Sequence, residues 1–285
     1  MFQRRFLSAL AALAITGAAT AQDCKPSKWG PNDEIGAANY ITAKSVLAAT
    51  KLVKMGQTHP LGIVIEPGMP AFPPRTVSLQ IVSPGQNNGR DLTKDFGWPA
   101  AYNDDLAQLW FGVGPKLGTD KVPPMVARGV LIDMAKHFKV ASMAPGQAIT
   151  PADIDAAMKA QGVQVREGDV VLLHTGYTDA KLKSDPKTWV STQPGLTNAA
   201  TVHLAKMNPM AVGADTWGLE AVPPIAGDRL FYGHVTLLKE NGIYILETMN
   251  TGRLAQEGVK EFMFVLGQAR IKGTVQMMIN PVAMW

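Results

Sequence analysis

Two apolar runs in the middle of the chain limit most strongly what it can fold into. Arg128 to Met134 (RGVLIDM) and Gly168 to Leu173 (GDVVLL) are continuously apolar over most of their length, which is typical of strands buried on both faces of a sheet. Between them, Thr150 is a predicted helix N-cap, with the acid Asp153 three residues later, and Gly162 is a predicted stop signal. Strands that alternate with a helix in this middle third indicate an α/β arrangement.

Strands dominate the two ends of the chain, and they extend the prediction to a mixed sheet. His59 to Ile65 and Val77 to Val82 are predicted strands before the middle third. After it, Leu230 to Leu238 and Ile243 to Leu246 are predicted to flank the Glu240-Asn241-Gly242 turn as a hairpin. The fold class is therefore α/β (α+β), one domain with a mixed β-sheet flanked by helices. Further predicted elements are a helix from Thr42 to Lys54, a helix from Asn198 to Met207, and strands at Ala211 to Ala214, Phe262 to Leu266 and Thr274 to Ile279.

The N-terminus has the build of a secretory signal peptide. Arg4-Arg5 forms the charged region, Phe6 to Ile15 the apolar region, and Ala19-Thr20-Ala21 the cleavage site. The apolar region is too short for a transmembrane helix, which needs about 20 residues. A twin-arginine export signal is an alternative, although the arginine pair lacks much of the extended context. Residues 1–21 are predicted to be removed, which leaves a single domain over residues 22–285 in the periplasm or outside the cell.

Net charge and cysteine content limit which binding partners and which means of stabilisation the sequence supports. Loss of the signal peptide removes two arginines and no acids, so the net charge falls from +4 to +2. That is no basis for nucleic-acid binding, which needs a concentrated basic face. Cys24 is the single cysteine and can form no internal disulfide; we interpret it as a free thiol near the mature N-terminus or, alternatively, as one half of an intermolecular disulfide. Burial must therefore stabilise the fold, and 46% hydrophobic residues suffice for one large core.

His234 and Glu247, thirteen residues apart, form the first candidate site. A neutral imidazole and a carboxylate are a reasonable half of a Zn²⁺ or Mn²⁺ site. Across the predicted hairpin, the two side chains can come together. On spacing alone, however, a surface histidine and a strand-end glutamate explain the pair better.

Three other positions combine polar chemistry with the end of a predicted element. His174 directly follows the buried strand that ends at Leu173, where open α/β sheets place their ligands, although a structural histidine fits this position equally well. Asp104 and Asp105 are adjacent acids, so on a strand only one of them can face a given pocket; a turn or a helix cap is the alternative. Asp215-Thr216-Trp217 ends another predicted strand and could equally hold a loop together.

Other catalytic classes have no motif in the sequence. It contains no Gly-x-Ser-x-Gly elbow, no Walker motif and no glycine-rich dinucleotide pattern. The lone cysteine gives no Cys-His nucleophile. Serine hydrolase, NTPase and dehydrogenase functions are therefore unsupported.

Four blocks of sequence occur in a characteristic order: Tyr102-Asn103-Asp104-Asp105, Trp110-Phe111-Gly112-Val113-Gly114, Lys116-Leu117-Gly118, and Val122 to Met134. In this order they resemble the metal-dependent cyclase and kynurenine formamidase family, in its long, exported branch, and the resemblance spans about Trp29 to Ala283. In that family a segment of the form His-x-Gly-Thr-His-x-Asp-x-x-x-His carries metal ligands after the second block. Here only Pro115 separates Gly114 from Lys116, so this segment has no counterpart.

The resemblance implies a cyclase-like domain, homodimeric or larger, that hydrolyses a small amide, ester or lactone. Arylformamides such as N-formylkynurenine, an intermediate of tryptophan catabolism, are the best-known substrates of the family. A divalent metal, Zn²⁺ or Mn²⁺, is implied as cofactor, because it polarises the carbonyl and activates water. The resemblance implies His234 and Glu247 as metal ligands. His174 is the candidate catalytic residue, and the candidates for the substrate pocket are Asp104, Asp105, Trp110, Asp215 and Trp217.

Two hypotheses follow from the sequence. The first is a metallohydrolase, either impaired or with its metal site rebuilt by His174 or by Asp104 and Asp105. The second is a catalytically inactive binding protein that keeps the fold and the pocket but has lost the metal site. A metal titration of the purified apo-protein separates them.

Overall fold

Nine strands lie in the part of the chain that the computed structural model describes, namely residues 27–66, 68–70, 118–272, 274 and 276–285. Seven of them form one sheet, in the order β1-β9-β8-β2-β4-β6-β7, and β3 pairs with β5 separately. The strands are β1 Thr58–Pro60, β2 Met125–Asp133, β3 Ala148–Ile149, β4 Val170–His174, β5 Gly195–Leu196, β6 Ala211–Ala214, β7 Tyr244–Leu246, β8 Glu261–Leu266 and β9 Val282–Met284.

The large sheet is mixed, which confirms the predicted fold class. β2, β4, β6 and β7 are parallel to one another, whereas β8, β9 and β1 continue the sheet with antiparallel pairs. Parallel neighbours need crossover connections, and helices supply them here. In the register of the sheet, Asp133 lies beside His174, and Gly213 lies beside Leu246. The carboxyl ends of the four parallel strands therefore lie along one edge.

Several helices begin where the sequence places capping residues. The Thr42 side chain accepts the backbone N–H of Ser45, and Thr150 with Asp153 forms the predicted capping box. Gly162 ends that second helix with a φ of 66°, a left-handed conformation that glycine adopts without strain. The helices are α1 Ala43–Thr50, α2 Met134–His137, α3 Pro151–Gln161, α4 Tyr177–Lys181, α5 Pro186–Ser191, α6 Asn198–Lys206, α7 Tyr232–His234 and α8 Gly252–Gln256, with a 3₁₀ turn at Gly36–Tyr40 and a π-type turn at Val235–Glu240.

The two apolar runs of the sequence form the centre of the core. β4 is buried along its whole length, and β2 buries Val130, Leu131 and Ile132 almost completely. β8 packs closely against β2 at Gly129. A Cβ atom at this position would lie only 2.2 Å from the ring of Phe262, so only glycine leaves room for that ring. Burial on both faces holds β4 in one position, and with it the side chain at its carboxyl end.

Two predicted strands are wrong, and a third is shorter than expected. Leu230 to Leu238 is not one arm of a hairpin: α7 and the π-type turn occupy this stretch. A short apolar run fits either a strand or a helix, and packing against α6 buries it as a helix, with Leu237 inside. The described residues within Thr274 to Ile279 belong to no strand. The position between β1 and β8 in the sheet is instead occupied by β9, which pairs with both. β1 covers three residues of a segment that was predicted to continue to Ile65.

Other predictions concern residues outside the described ranges. They are the signal peptide, Cys24, the strand from Val77 to Val82, the junction between Gly114 and Lys116, and three candidate pocket residues, Asp104, Asp105 and Trp110. All of these stay predictions. Of the helices that the structure describes, none has the length and apolar character needed to cross a membrane.

Candidate active site

Polar side chains collect where three neighbouring parallel strands end. His174 is the last residue of β4, Asp215 directly follows β6, and Glu247 directly follows β7. Adjacent strands are about 4.8 Å apart, so the backbones at His174 and Glu247 are separated by roughly 10 Å. The carboxyl edge of a parallel sheet is where α/β proteins place ligands, and the sequence predicted all three positions as candidates.

The structure brings His234 and Glu247 together, although by a route other than the predicted hairpin. His234 ends α7, and its Nε2 lies 3.2 Å from Oε1 of Glu247. The His234 side chain is 31% exposed and that of Glu247 27% exposed, so the pair lies at the surface of the edge rather than inside the core. The family resemblance indicated the pair, whereas spacing alone did not, and α7 rather than a strand supplies the histidine.

Glu220 is a site residue that sequence reasoning missed. Its Oε1 accepts hydrogen bonds from both the backbone N–H and Nδ1 of His234, each at 2.9 Å. The Glu220 side chain is only 4% exposed. The one sequence signal for Glu220 was an acid between two apolar residues, Leu219 and Ala221, both of which are buried. A carboxylate inside an apolar stretch needs a polar partner, which indicates a structural or functional contact.

Each ring nitrogen of His234 therefore contacts a carboxylate, Nδ1 that of Glu220 and Nε2 that of Glu247. Burial alone would lower the pKa of His234, but the hydrogen bonds and negative charges of Glu220 and Glu247 outweigh burial and raise the pKa to about 10. In the absence of metal, His234 is a cation held between Glu220 and Glu247. A metal ion that binds Nε2 must displace its proton, so metal binding at this position releases a proton.

The residues present fit two ligands of a divalent ion. Two ligand atoms on a tetrahedral Zn²⁺, each at a normal bond length, lie about 3.3 Å apart, and His234 Nε2 and Glu247 Oε1 lie 3.2 Å apart. Glu220 contacts the opposite side of the ring and so does not complete the ligand set. Within the described ranges, no group of three or more His, Cys, Asp or Glu residues is arranged to hold a metal ion.

His174 belongs to a second cluster. Its Nδ1 lies 2.8 Å from Oγ1 of Thr251 and 3.7 Å from Oδ2 of Asp215. The other carboxylate oxygen of Asp215 accepts the backbone N–H of Thr175 at 2.8 Å and the Thr175 hydroxyl at 2.7 Å. Burial raises the pKa of Asp215, against the opposing effects of His174 and of these hydrogen bonds. Oδ2 has no hydrogen-bond partner among the described residues and lies 3.7 Å from Nδ1 of His174.

His174 also lines a cavity of about 580 Å³. Of the described residues, those around this cavity include neither His234 nor Glu247. The two histidines thus share an edge of the sheet but not a cavity. The polar side chains of the lining are Ser142, His174, Asp179, Asn250, Arg253 and Gln256.

Trp217, a predicted pocket residue, lies on the His234 side of the edge. Its indole Nε1 donates to the carbonyl of Trp189 at 2.6 Å. The Trp217 ring meets the edge of Phe231 at a centroid distance of 6.1 Å, and Phe231 meets the His234 ring at 5.7 Å. Phe231 therefore connects the tryptophan with the imidazole through ring contacts, and the rings of Trp217 and Phe231 lie beside the His234–Glu247 pair.

The family model for Cyclase matches residues 60–221, which is more than half of the chain. The chain therefore belongs to the Cyclase family, as its sequence blocks indicated. No curated protein matches the sequence significantly.

Solved structures agree with this assignment. A crystal structure of a novel cyclase is 26% identical, with a TM-score of 0.73, and the alignment covers 91% of this chain and 96% of the other. Isatin hydrolase A from Ralstonia solanacearum is 18% identical with a TM-score of 0.55, over 85% and 97% of the two chains. A predicted metal-dependent hydrolase from Bacillus stearothermophilus is 16% identical with a TM-score of 0.51, over 81% and 98%. The last two show likeness of fold alone.

Proposed function

We propose that this protein is a metal-dependent hydrolase of a small amide, ester or lactone, with His234 and Glu247 as two ligands of Zn²⁺ or Mn²⁺. The observation that carries the proposal is the approach of His234 Nε2 to 3.2 Å from Glu247 Oε1 at the carboxyl edge of the parallel strands. Names of structural relatives support it, since they include an isatin hydrolase and a predicted metal-dependent hydrolase. A divalent ion at this place supplies Lewis-acid polarisation of a carbonyl and of water.

Further ligands are needed, because a catalytic Zn²⁺ site normally has three protein ligands. Asp104 and Asp105 are the candidates from outside the described residues, and His174 is the candidate within them. His174 lines a cavity whose described residues include neither His234 nor Glu247.

The same geometry suits His174 better for proton transfer than for metal ligation. Thr251 forms a hydrogen bond with Nδ1 of His174, and Asp215 faces the same side of the ring. The arrangement leaves Nε2 as the nitrogen for exchange with a substrate or a water molecule. A histidine whose other nitrogen is hydrogen-bonded, here to Thr251 with Asp215 behind it, can act as a general base.

An aryl amide is the substrate class that we propose in finer detail. Isatin is a cyclic amide on an aromatic ring, and arylformamides carry their amide on the same type of aryl nitrogen. An aromatic ring of the substrate would contact Phe231 and Trp217, which line the edge beside His234. Export to the periplasm or outside the cell, and assembly as a homodimer or larger, remain proposals that rest on the sequence alone.

Titration of the metal-free full chain with Zn²⁺ or Mn²⁺ tests the proposal. We expect about one ion per chain in the wild type, and no binding above background in His234→Ala and Glu247→Ala. His203→Ala is the matched control, because His203 is as exposed as His234 but pairs with a single acid, Asp155. Metal-dependent hydrolysis of an arylformamide should disappear with the two ligand variants. Turnover that survives both of them would show that the site lies elsewhere.

A catalytically inactive binding protein is the second candidate function. It is favoured by one observation: both ring nitrogens of His234 already contact carboxylates, and the described residues supply no third ligand. In this case the wild type should bind Zn²⁺ no more tightly than His234→Ala. Hydrolysis of an arylformamide should then match buffer plus metal.

A further inference from the structure

We propose that Glu220 is a positioning residue, which fixes the imidazole of His234 so that Nε2 faces Glu247. The inference rests on the proposed function, because it concerns the same candidate metal site. Glu220 itself does not reach the ion; it acts through the opposite nitrogen of the ring. Its Oε1 accepts from Nδ1 and from the backbone N–H of His234, each at 2.9 Å.

These two hydrogen bonds determine the orientation of the ring. A carboxylate oxygen can only accept a hydrogen bond, so Nδ1 must be the donor in this contact. With its proton on Nδ1, the imidazole has Nε2 as the nitrogen that can bind a metal. Carboxylates that hold a ligating histidine in this way orient the ring and raise the basicity of the ligand.

The backbone around Glu220 is itself held firmly. The side chain of Gln193, which is fully buried, donates to the Glu220 carbonyl at 2.7 Å and accepts the backbone N–H of Gly218 at 3.0 Å. Leu196 of β5 forms a bridge with Glu220. The carboxylate is therefore presented from a rigid segment, which is what a positioning residue requires.

Gly233 has no side chain and so leaves space for the carboxylate of Glu220. A Cβ atom at Gly233 would lie 2.5 Å from Oε1 of Glu220 and 2.9 Å from its carboxyl carbon. Any larger residue at this position would push the carboxylate away from His234. Gly233 thus permits the contact, and it offers a way to disturb Glu220 without removing its charge.

The experiment compares Zn²⁺ affinity in the full chain and, without metal, the NMR resonance of the Nδ1–H proton of His234. That proton should exchange slowly in the wild type, because it is hydrogen-bonded to a buried acceptor. We expect Glu220→Ala and Gly233→Ala each to weaken Zn²⁺ binding about 10- to 100-fold and to abolish the protected resonance. Glu220→Gln keeps an acceptor oxygen, so it should retain the resonance and lose less affinity.

Matched controls separate this effect from general damage. Glu261→Gln removes a carboxylate that pairs with Arg128 away from the site, and Gly267→Ala adds a methyl group where nothing lies within 4 Å. Both should bind Zn²⁺ as the wild type does, and circular dichroism should show that all variants are folded. Zn²⁺ affinity within twofold of wild type in both Glu220→Ala and Gly233→Ala would overturn the inference.

The two readouts also distinguish this inference from the proposed function. Wild-type protein that binds Zn²⁺ no better than His234→Ala rules out the proposed metal site and any role of Glu220 in it. The Nδ1–H resonance then still decides whether Glu220 holds the ring. Loss of the resonance in Glu220→Ala confirms the hold, and its persistence rules that out as well.

Discussion

The His234 and His174 clusters lie on the same edge of the sheet and combine the same residue types, yet they are built differently. At His234, one carboxylate contacts each ring nitrogen, and the side chain is 31% exposed. At His174, the direct partner is the neutral hydroxyl of Thr251, and the acid Asp215 lies 3.7 Å away, buried and bonded to Thr175. The hydrogen bonds of His234 go to two carboxylates, whereas the direct hydrogen bond of His174 goes to a neutral hydroxyl.

This difference is the basis of the division of roles that we propose. A ring that faces two carboxylates attracts positive charge, whether a proton or a metal ion, to the position between Nε2 and Glu247. A ring that is oriented by a hydroxyl and a buried acid, and that lines a cavity, is suited to exchange a proton with a bound molecule. Variants that act on one cluster and leave the other intact can break or sharpen this comparison.

The largest effect on stability is expected at Asp215. Asp215→Ala leaves the buried N–H and hydroxyl of Thr175 without an acceptor, and we expect it to lower the free energy of unfolding by about 3 kcal/mol. Asp215→Asn keeps an acceptor oxygen and should cost markedly less. Urea denaturation followed by circular dichroism measures both. Equal stabilities of the two variants would contradict the role given to the Thr175 hydrogen bonds.

A smaller, pH-dependent effect is expected at His234 in metal-free protein. Its folded-state pKa is about 10, above the unfolded value of about 6.5, so its contribution to stability is complete below about pH 6.5. That contribution is lost as the pH rises through 10, because the proton leaves the folded state. In the presence of a chelator, the stability advantage of wild type over His234→Gln should fall by about 2 kcal/mol across this range, after allowance for its partial exposure.

The control for this pH effect is His203→Gln, which alters a histidine paired with Asp155 on the surface. Its stability should follow that of the wild type across the same range. Parallel curves for wild type and His234→Gln would mean that the two carboxylates do not hold His234 as a cation.

The smallest effect is expected at Thr251, which is fully buried beside His174. Thr251→Val removes one hydrogen bond from His174 and should destabilise the fold by about 1 kcal/mol. Thr251→Ser keeps the hydroxyl and should restore the hydrogen bond. If His174 transfers protons, Thr251→Val should lower kcat and leave the Zn²⁺ affinity unchanged. Reduced Zn²⁺ affinity of Thr251→Val would instead show that the two clusters belong to one site.

Local signals explain why much of the fold could be predicted. Thr150 and Asp153 form a capping box over three residues, and Gly162 ends the same helix within its own last turn. Each of these interactions joins neighbours in the chain, so the sequence contains both partners side by side. The buried strand that ends at His174 was recognisable for a similar reason, since its unbroken apolar character reflects burial on both faces.

What the sequence alone determined about this protein is therefore its class of fold, its capped helices and the candidate positions at the strand ends. Only the tertiary structure decided that most of Leu230 to Leu238, from Tyr232 onwards, is helical, because a short apolar run takes the form that its packing partners bury. It also decided that Glu220 holds His234. These residues are fourteen positions apart, and no local pattern couples them, because their contact exists only once α7 packs over the loop that carries Glu220.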